Sequence, residues 1–215
     1  MTLPNAVLFP GAMVPLYIYE PRYRRMLTDA LGTHRMFCVA MRRAGCKRTL
    51  PCPIASVGLI RACVKHKDNT YHLILMGLNR VALGPVLSSR PYRLHEVSYL
   101  KTPTVNQLEV QSYVHTLRKV TKARLELGLP FPVSAKPSKS VKSAPIIPTV
   151  SEVMEYLDQI KDPDQLADMV AASMLVAPEN RQVVLETADL PERLHMLITC
   201  LMHEIEKLKG GSGPS

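Results

Sequence analysis

Val7-Leu8-Phe9-Pro10-Gly11, followed by Val14-Pro15-Leu16-Tyr17-Ile18-Tyr19-Glu20-Pro21-Arg22-Tyr23, is the stretch from which the rest of the chain is read. Two short β-like runs flank Pro10-Gly11, which punctuates a turn. The second run feeds a helix. Pro21 suits a first helical turn, where a missing N–H costs nothing, and Glu20 puts a carboxylate at the positive helix end. Tyr23, Met26, Leu27, Ala30 and Leu31 then follow helical spacing, and Gly32 stops it, which predicts one helix near 21–31.

Downstream the pattern is mostly strand. Met36 to Met41 is a short apolar run. Ile54 to Val64 is rich in Val, Ile and Leu and broken by Gly58. Tyr71 to Leu83 carries Gly77 as a bulge or bend. Pro85 to Tyr99 supplies a last run. Short strands with Gly and Pro breaks predict a compact barrel or sandwich.

From Thr104 the period becomes helical. Thr104 with Gln107, Thr149 with Glu152, Asp162 with Gln165 and Asp189 with Glu192 have capping-box spacing. Pro178 opens a short helix ending near Thr187. The last helix carries the stripe Leu194, Leu197, Ile198, Leu201, Ile205 and Leu208. Residues 129–148, rich in Pro, Ser and Lys, read as a mobile linker, and 210–215 as a flexible tail. The organisation expected is α+β: a β-rich part over 1–102 and a helical bundle over 103–209.

The 215 residues are 47% hydrophobic, enough for a core, and lack Trp, so aliphatics and Met must build it. No run of about 18 apolar residues exists, so no membrane span is expected. The start lacks a secretion signal, and the five cysteines, Cys38, Cys46, Cys52, Cys63 and Cys200, are odd in number and irregularly spaced. They read as free thiols of a cytoplasmic protein. A zinc site from Cys46 and Cys52 with His66 or His72 lacks paired-ligand spacing, so no metal and no cofactor is expected. The net charge of +9 is polarised. Residues 1–100 hold 14 basic against 4 acidic side chains, and 149–215 hold 5 against 12. A basic front and an acidic back argue for two structural parts.

The ordered motifs resemble the amino-terminal, substrate-recognition domain of Lon proteases. The run from Phe9-Pro10-Gly11 to Tyr23 is the strongest match. Ser56-Val57-Gly58-Leu59-Ile60 resembles the family's Gly-containing central strand, Gly77-Leu78-Asn79-Arg80 its Gly-x-x-Arg strand, and Pro91-Tyr92 the start of its last barrel strand. Leu166-Ala167-Asp168, Leu185-Glu186-Thr187 and Glu192-Arg193-Leu194 recur in the helical part. The resemblance implies a PUA-like β-barrel of Lon N-terminal type followed by a helical bundle. It also implies a non-catalytic module that engages unfolded or apolar protein segments, alone or with a protease or chaperone partner. No Gly is followed by Lys, so the phosphate cradle G-x-x-x-x-G-K-[ST] is missing. The length leaves no room for ATPase and protease modules, so a stand-alone recognition protein is expected, not an enzyme.

No residues are assigned to catalysis. Ser134, Ser138, Ser140 and Ser143 beside Lys136, Lys139 and Lys142 read as a solvated basic linker, since a catalytic Lys must be desolvated. Pro10, Gly11, Glu20, Pro21, Arg22, Tyr23, Gly58, Gly77 and Arg80 read as structural, with Glu20 and Arg80 pairing to tie the helix start to the barrel. Met13, Tyr17, Tyr19, Met36 and Met41 are the candidate peptide-binding residues, because a soft Met and Tyr patch suits loose sequence recognition. The alternative is a PUA-like RNA-binding protein, with weak, salt-sensitive contact through Arg42, Arg43, Lys47 and Arg48. The bundle is expected to brace the barrel and to support a homo-oligomer.

Overall fold

The computed structural model describes residues 1–46, 49–100, 107–128 and 149–210. The predicted linker over 129–148, its serines and lysines, Lys47, Arg48, Thr104 and the tail beyond Gly210 lie outside the described residues. The strands are β1 (Thr2–Leu3), β2 (Met13–Ile18), β3 (Met36–Met41), β4 (Ile54–Lys65), β5 (Tyr71–Ser88) and β6 (Leu94–Tyr99). The helices are α1 (Pro21–Leu31), α2 (Gln107–Glu126), α3 (Val150–Gln159), α4 (Pro163–Met174), α5 (Pro178–Glu186) and α6 (Leu190–Gly210). They form two compact units: Met1–Pro103 with Ala177–Ala188, and Thr104–Val176 with Asp189–Ser215.

The first unit is built on one long antiparallel ribbon, β4 with β5. β3 extends it on the β4 side and carries the short parallel β1. On the β5 side β2 and β6 share one edge, β2 along Tyr71–Met76 and β6 along Val81–Ser88. Among the described residues β1 and β2, the ends of the strand order, do not pair, so the sheet is an open barrel and not a closed one. α1 fills the inner side instead. Tyr23, Met26, Leu27 and Ala30 pack with Leu8, Ile18, Phe37, Val39, Ile60, Leu73 and Leu75 in one core.

Gly77 marks where β2 and β6 divide the edge of β5. The segment Phe9–Ala12 crosses there: Gly11 N–H donates to Gly77 O at 2.9 Å, and Gly77 N–H donates to Ala12 O at 2.9 Å. A Cβ on Gly77 would stand 2.0 Å from Phe9 O, a backbone atom. On Gly58 it would stand 2.5 Å from the Leu75 side chain. The two glycines face each other at a bulge that skips Leu78. The predicted Gly77 irregularity is therefore a close approach of two backbones.

Several local expectations are met with changes. α1 spans the predicted residues, with Pro21 in its first turn, but Glu20 makes no side-chain cap. Its carboxylate accepts from Arg22 Nε at 2.9 Å and pairs with Arg22 Nη2 at 2.7 Å. Arg80 Nε donates to Leu185 O at 3.1 Å, so the expected Glu20–Arg80 tie is not formed. The reason is reach: Arg22 is two residues from Glu20, whereas Arg80 lies where α5 meets the sheet. That helix, expected in the bundle, falls in the sheet unit, where Gln182 Nε2 also donates to Ile54 O at 3.0 Å. Pro85–Ser88 continues β5, and β6 starts only at Leu94, after a turn holding the cis Arg90–Pro91 bond.

The second unit packs α2, α3, α4 and α6. Thr149 and Glu152 form the predicted reciprocal capping box. Asp162 caps α4 through Asp164 N–H, without the Gln165 return bond that a box requires. Leu194, Leu197, Ile198, Leu201 and Ile205 are buried along α6, while Leu208 is 38% exposed. Two of the resembling motifs meet inside this unit. The Arg193 side chain, wholly buried, donates to Asp164 Oδ1 at 2.6 Å and lies 3.7 Å from Asp168 Oδ1. Arg124 and Glu204 form a second buried pair at 3.4 Å, and Glu204 also accepts from Val176 N–H.

Two stability outcomes follow. Gly77→Ala costs more than about 3 kcal/mol, because Phe9 O is backbone and cannot yield, while Gly58→Ala costs about 1–3 kcal/mol, because the Leu75 side chain can shift. Chemical denaturation of the two variants checks the order. Arg193→Ala leaves carboxylates without their buried cation and costs about 3–5 kcal/mol, read as a lowered unfolding midpoint.

Candidate functional site

Strand alternation sends Val14, Leu16 and Ile18 of β2 and Leu73 and Leu75 of β5 into the core under α1. Their neighbours must therefore face outward, and here these are apolar too. The strand register assembles them into three rows. Met36, Leu59, Met76 and Met13 are direct partners across β3, β4, β5 and β2. Ala62, Ile74 and Pro15 form the next row, and Val64, His72 and Tyr17 the third. Met13 is 65% exposed, Val64 59%, Tyr17 48% and Ile74 42%. Met36, Leu59 and Met76 are half-buried.

The face changes character along the strands. One end is thioether and aliphatic, and sulfur side chains conform to varied partners. The other end is aromatic and polar. Tyr17 lies 4.7 Å from the His72 ring and 5.9 Å from Tyr19. His72 Nδ1 shares a hydrogen bond of 2.6 Å with His66 Nε2. An apolar sheet face turned to water on this scale is uncommon on a protein surface.

Of the five candidate residues, Met13, Tyr17 and Met36 share this face, and Tyr19 extends it. Met41 does not. It is 7% exposed, because β1 pairs beside it through Leu3 and Cys52 N–H bonds its carbonyl. A two-residue strand leaves no periodicity to read, so that cover was invisible in the sequence. Leu59, Val64, Ile74 and Met76 were missed. The signal was present: Leu73-Ile74-Leu75-Met76 is apolar at every position, and an unbroken run in a strand makes both faces apolar.

Tyr23 is buried, and its OH donates to Thr2 O at 3.1 Å. Arg42 and Arg43 of the basic cluster are exposed. All five cysteines are free. Burial pushes the Cys38 and Cys63 thiols up, and burial aided by Glu186 or Glu204 does so for Cys52 and Cys200, which makes them poor nucleophiles. Among the described residues no three His, Cys, Asp or Glu side chains are grouped to hold a metal ion. No described helix is long and apolar enough to cross a membrane.

Comparison with known proteins gives this geometry a family. The family model for the ATP-dependent protease La (LON) substrate-binding domain matches residues 1–203. Lon protease of Dictyoglomus thermophilum is 24% identical over 212 residues, and Lon protease 2 of Myxococcus xanthus 26% identical over 214. Each alignment covers 97% of this chain and 24% of the relative, so the chain spans about a quarter of the curated proteins it matches. Among solved structures, the N-terminal domain of a Mycobacterium avium complex Lon protease superposes with a TM-score of 0.71 at 18% identity, covering 94% of this chain and 96% of that one. The Lon N-terminal domain protein of Xanthomonas campestris gives 0.59 at 17% identity, covering 92% and 95%. The fold is thus that of Lon N-terminal domains, and with its profile matched over residues 1–203 the chain belongs to the Lon substrate-binding domain family.

Proposed function

We propose that this chain is a non-catalytic recognition module that captures apolar segments of unfolded protein clients on the outer face of its sheet, for a protease or chaperone partner. The observation that carries the reading is the three-row apolar face centred on Ile74, exposed on a sheet whose other face already holds the core. Burying apolar side chains there is non-directional, so it discriminates unfolded from folded protein without reading a sequence. The Met row adapts to shape, and the Tyr17–His72 end offers stacking and hydrogen bonds to peptide groups.

The face can be tested without disturbing the core, since its side chains point away from it. The double variant Tyr17→Ser, Ile74→Ser should bind reduced, carboxymethylated α-lactalbumin at least about tenfold more weakly, each lost apolar contact being worth about 1.5–3 kcal/mol. Binding by the parent chain should persist at high salt, because apolar burial is not screened. Unchanged affinity in the double variant would sink the reading. Binding that vanishes with salt and is competed by RNA would assign contact to the basic loops instead.

A further inference from the structure

Among the described residues three strands of the sheet unit, β1, β2 and β6, lack a neighbour on one side. β1 has only two residues, and β2 carries Pro15, which has no N–H to offer an added strand. β6 has neither defence. Its six residues, Leu94-His95-Glu96-Val97-Ser98-Tyr99, hold no Pro, Lys or Arg.

The register of β6 shows which of its backbone groups are unused. Leu100 N–H donates to Arg80 O at 3.1 Å, and Tyr99 stands opposite Val81, Ser98 opposite Ala82 and Val97 opposite Leu83. Bonded and non-bonded pairs alternate along an antiparallel ladder. Leu100 and Ser98 are therefore bonded to β5, while the N–H and C=O of Val97 and Tyr99 point to the open edge. Among the described residues no other backbone group meets them. Both register shifts of this ladder lie on the Leu94–His95 side, so the stretch Val97–Tyr99 is regular. The side chains of Val97 and Tyr99 are exposed as well, that of Tyr99 at 72%.

Unused N–H and C=O groups at alternate residues are matched by an extended backbone, and the sequence of the edge is complementary to itself. A two-fold axis through Ser98 sets two antiparallel copies of β6 so that Val97 of each faces Tyr99 of the other. The outward groups then close four hydrogen bonds, and two valine–tyrosine pairs form on one face, a cross-strand combination that stabilises sheets. The charges agree with this register. Glu96, the one carboxylate of β6, falls opposite Leu100 of the second copy, and Ser98 meets Ser98. With the axis on Glu96 two carboxylates would stand face to face. We propose that β6 is a self-association edge, on which a second copy of this chain pairs antiparallel about Ser98 in an isologous dimer. β6 meets β5 along Val81–Ser88, whereas the β2 part of the capture face meets it along Tyr71–Met76, so the dimer goes beyond the capture reading and does not depend on it.

Sedimentation velocity between about 5 and about 500 μM should show a monomer passing into a dimer, because an edge of this length lies at the weak end of interfaces. Val97→Pro removes an outward N–H and leaves the ladder to β5 intact. It should weaken association at least about tenfold, with thermal unfolding unchanged. Tyr99→Lys alters no backbone group and should weaken it likewise. The axis is read by cross-linking, since non-bonded partners have Cα atoms about 4.5 Å apart, within disulfide reach. Under mild oxidation Ser98→Cys should give a covalent dimer, and neither Glu96→Cys nor the parent chain with its five free cysteines should. A monomer throughout the range overturns the inference. So does a dimer that survives both Val97→Pro and Tyr99→Lys, or one that Ser98→Cys fails to cross-link. Association lost in the Tyr17→Ser, Ile74→Ser variant overturns it in favour of contact through the outer face. A monomer that binds carboxymethylated α-lactalbumin less well after Val97→Pro overturns it in favour of a client strand on this edge. If the chain is monomeric and only the Tyr17, Ile74 variant loses that client, the dimer falls and the capture reading stands.

Discussion

The backbone of Phe9 passes against Gly77 with no room for a single carbon between them, and the arrangement of the sheet unit depends on that crossing. By occupying the edge of β5 at this point, the Phe9–Ala12 segment separates the stretch that pairs with β2 from the stretch that pairs with β6. One strand can then serve two partners along one edge. The crossing also fixes Val7, Leu8 and Phe9 in the interior, all at 7% exposure or less, and sets the register in which β2 begins. Register decides faces, because a slip of one residue would exchange every inward side chain for an outward one.

That register gives the sheet two apolar faces with different fates. The inner face is covered by α1 and is ordinary core. The outer face around Met13, Ile74, Val64 and Tyr17 has no such cover among the described residues and is exposed. A protein that needed only stability would put polar side chains there. An apolar face left open incurs an aggregation risk, which is why its exposure carries the proposed capture role. In the second unit the buried chemistry is of another kind: the arginines Arg193 and Arg124 are matched by Asp164, Asp168 and Glu204 and tie helices together. Such pairs fix which helix faces meet, since a shifted helix would strand a charge.

Much of this was legible beforehand. Pro21, the spacing of Tyr23, Met26, Leu27 and Ala30, and the box of Thr149 with Glu152 are local signals, and local physics decided them. Tyr17 and Met13 were picked out as a soft Met and Tyr patch beside the entry motif. Ile74, Leu59 and Met76 join them only when β4 and β5 are laid side by side, because partners across a sheet are remote in sequence. The expected Glu20–Arg80 tie failed for the converse reason: Glu20 had a nearer cation in Arg22, and Arg80 bonds Leu185, 105 residues away at the end of α5, a helix that sequence order had assigned to the bundle.

The sequence by itself determined the element types, most of their ends and the family, because periodicity, turn residues and motif order are written along the chain. Only the tertiary structure decided that the barrel stays open, that Met41 is buried beneath β1, that α5 packs on the sheet, and that three scattered runs share one exposed face. Each of these is set by long-range pairing and close backbone approach. Their energy depends on which residues meet across the fold, and no local pattern encodes that.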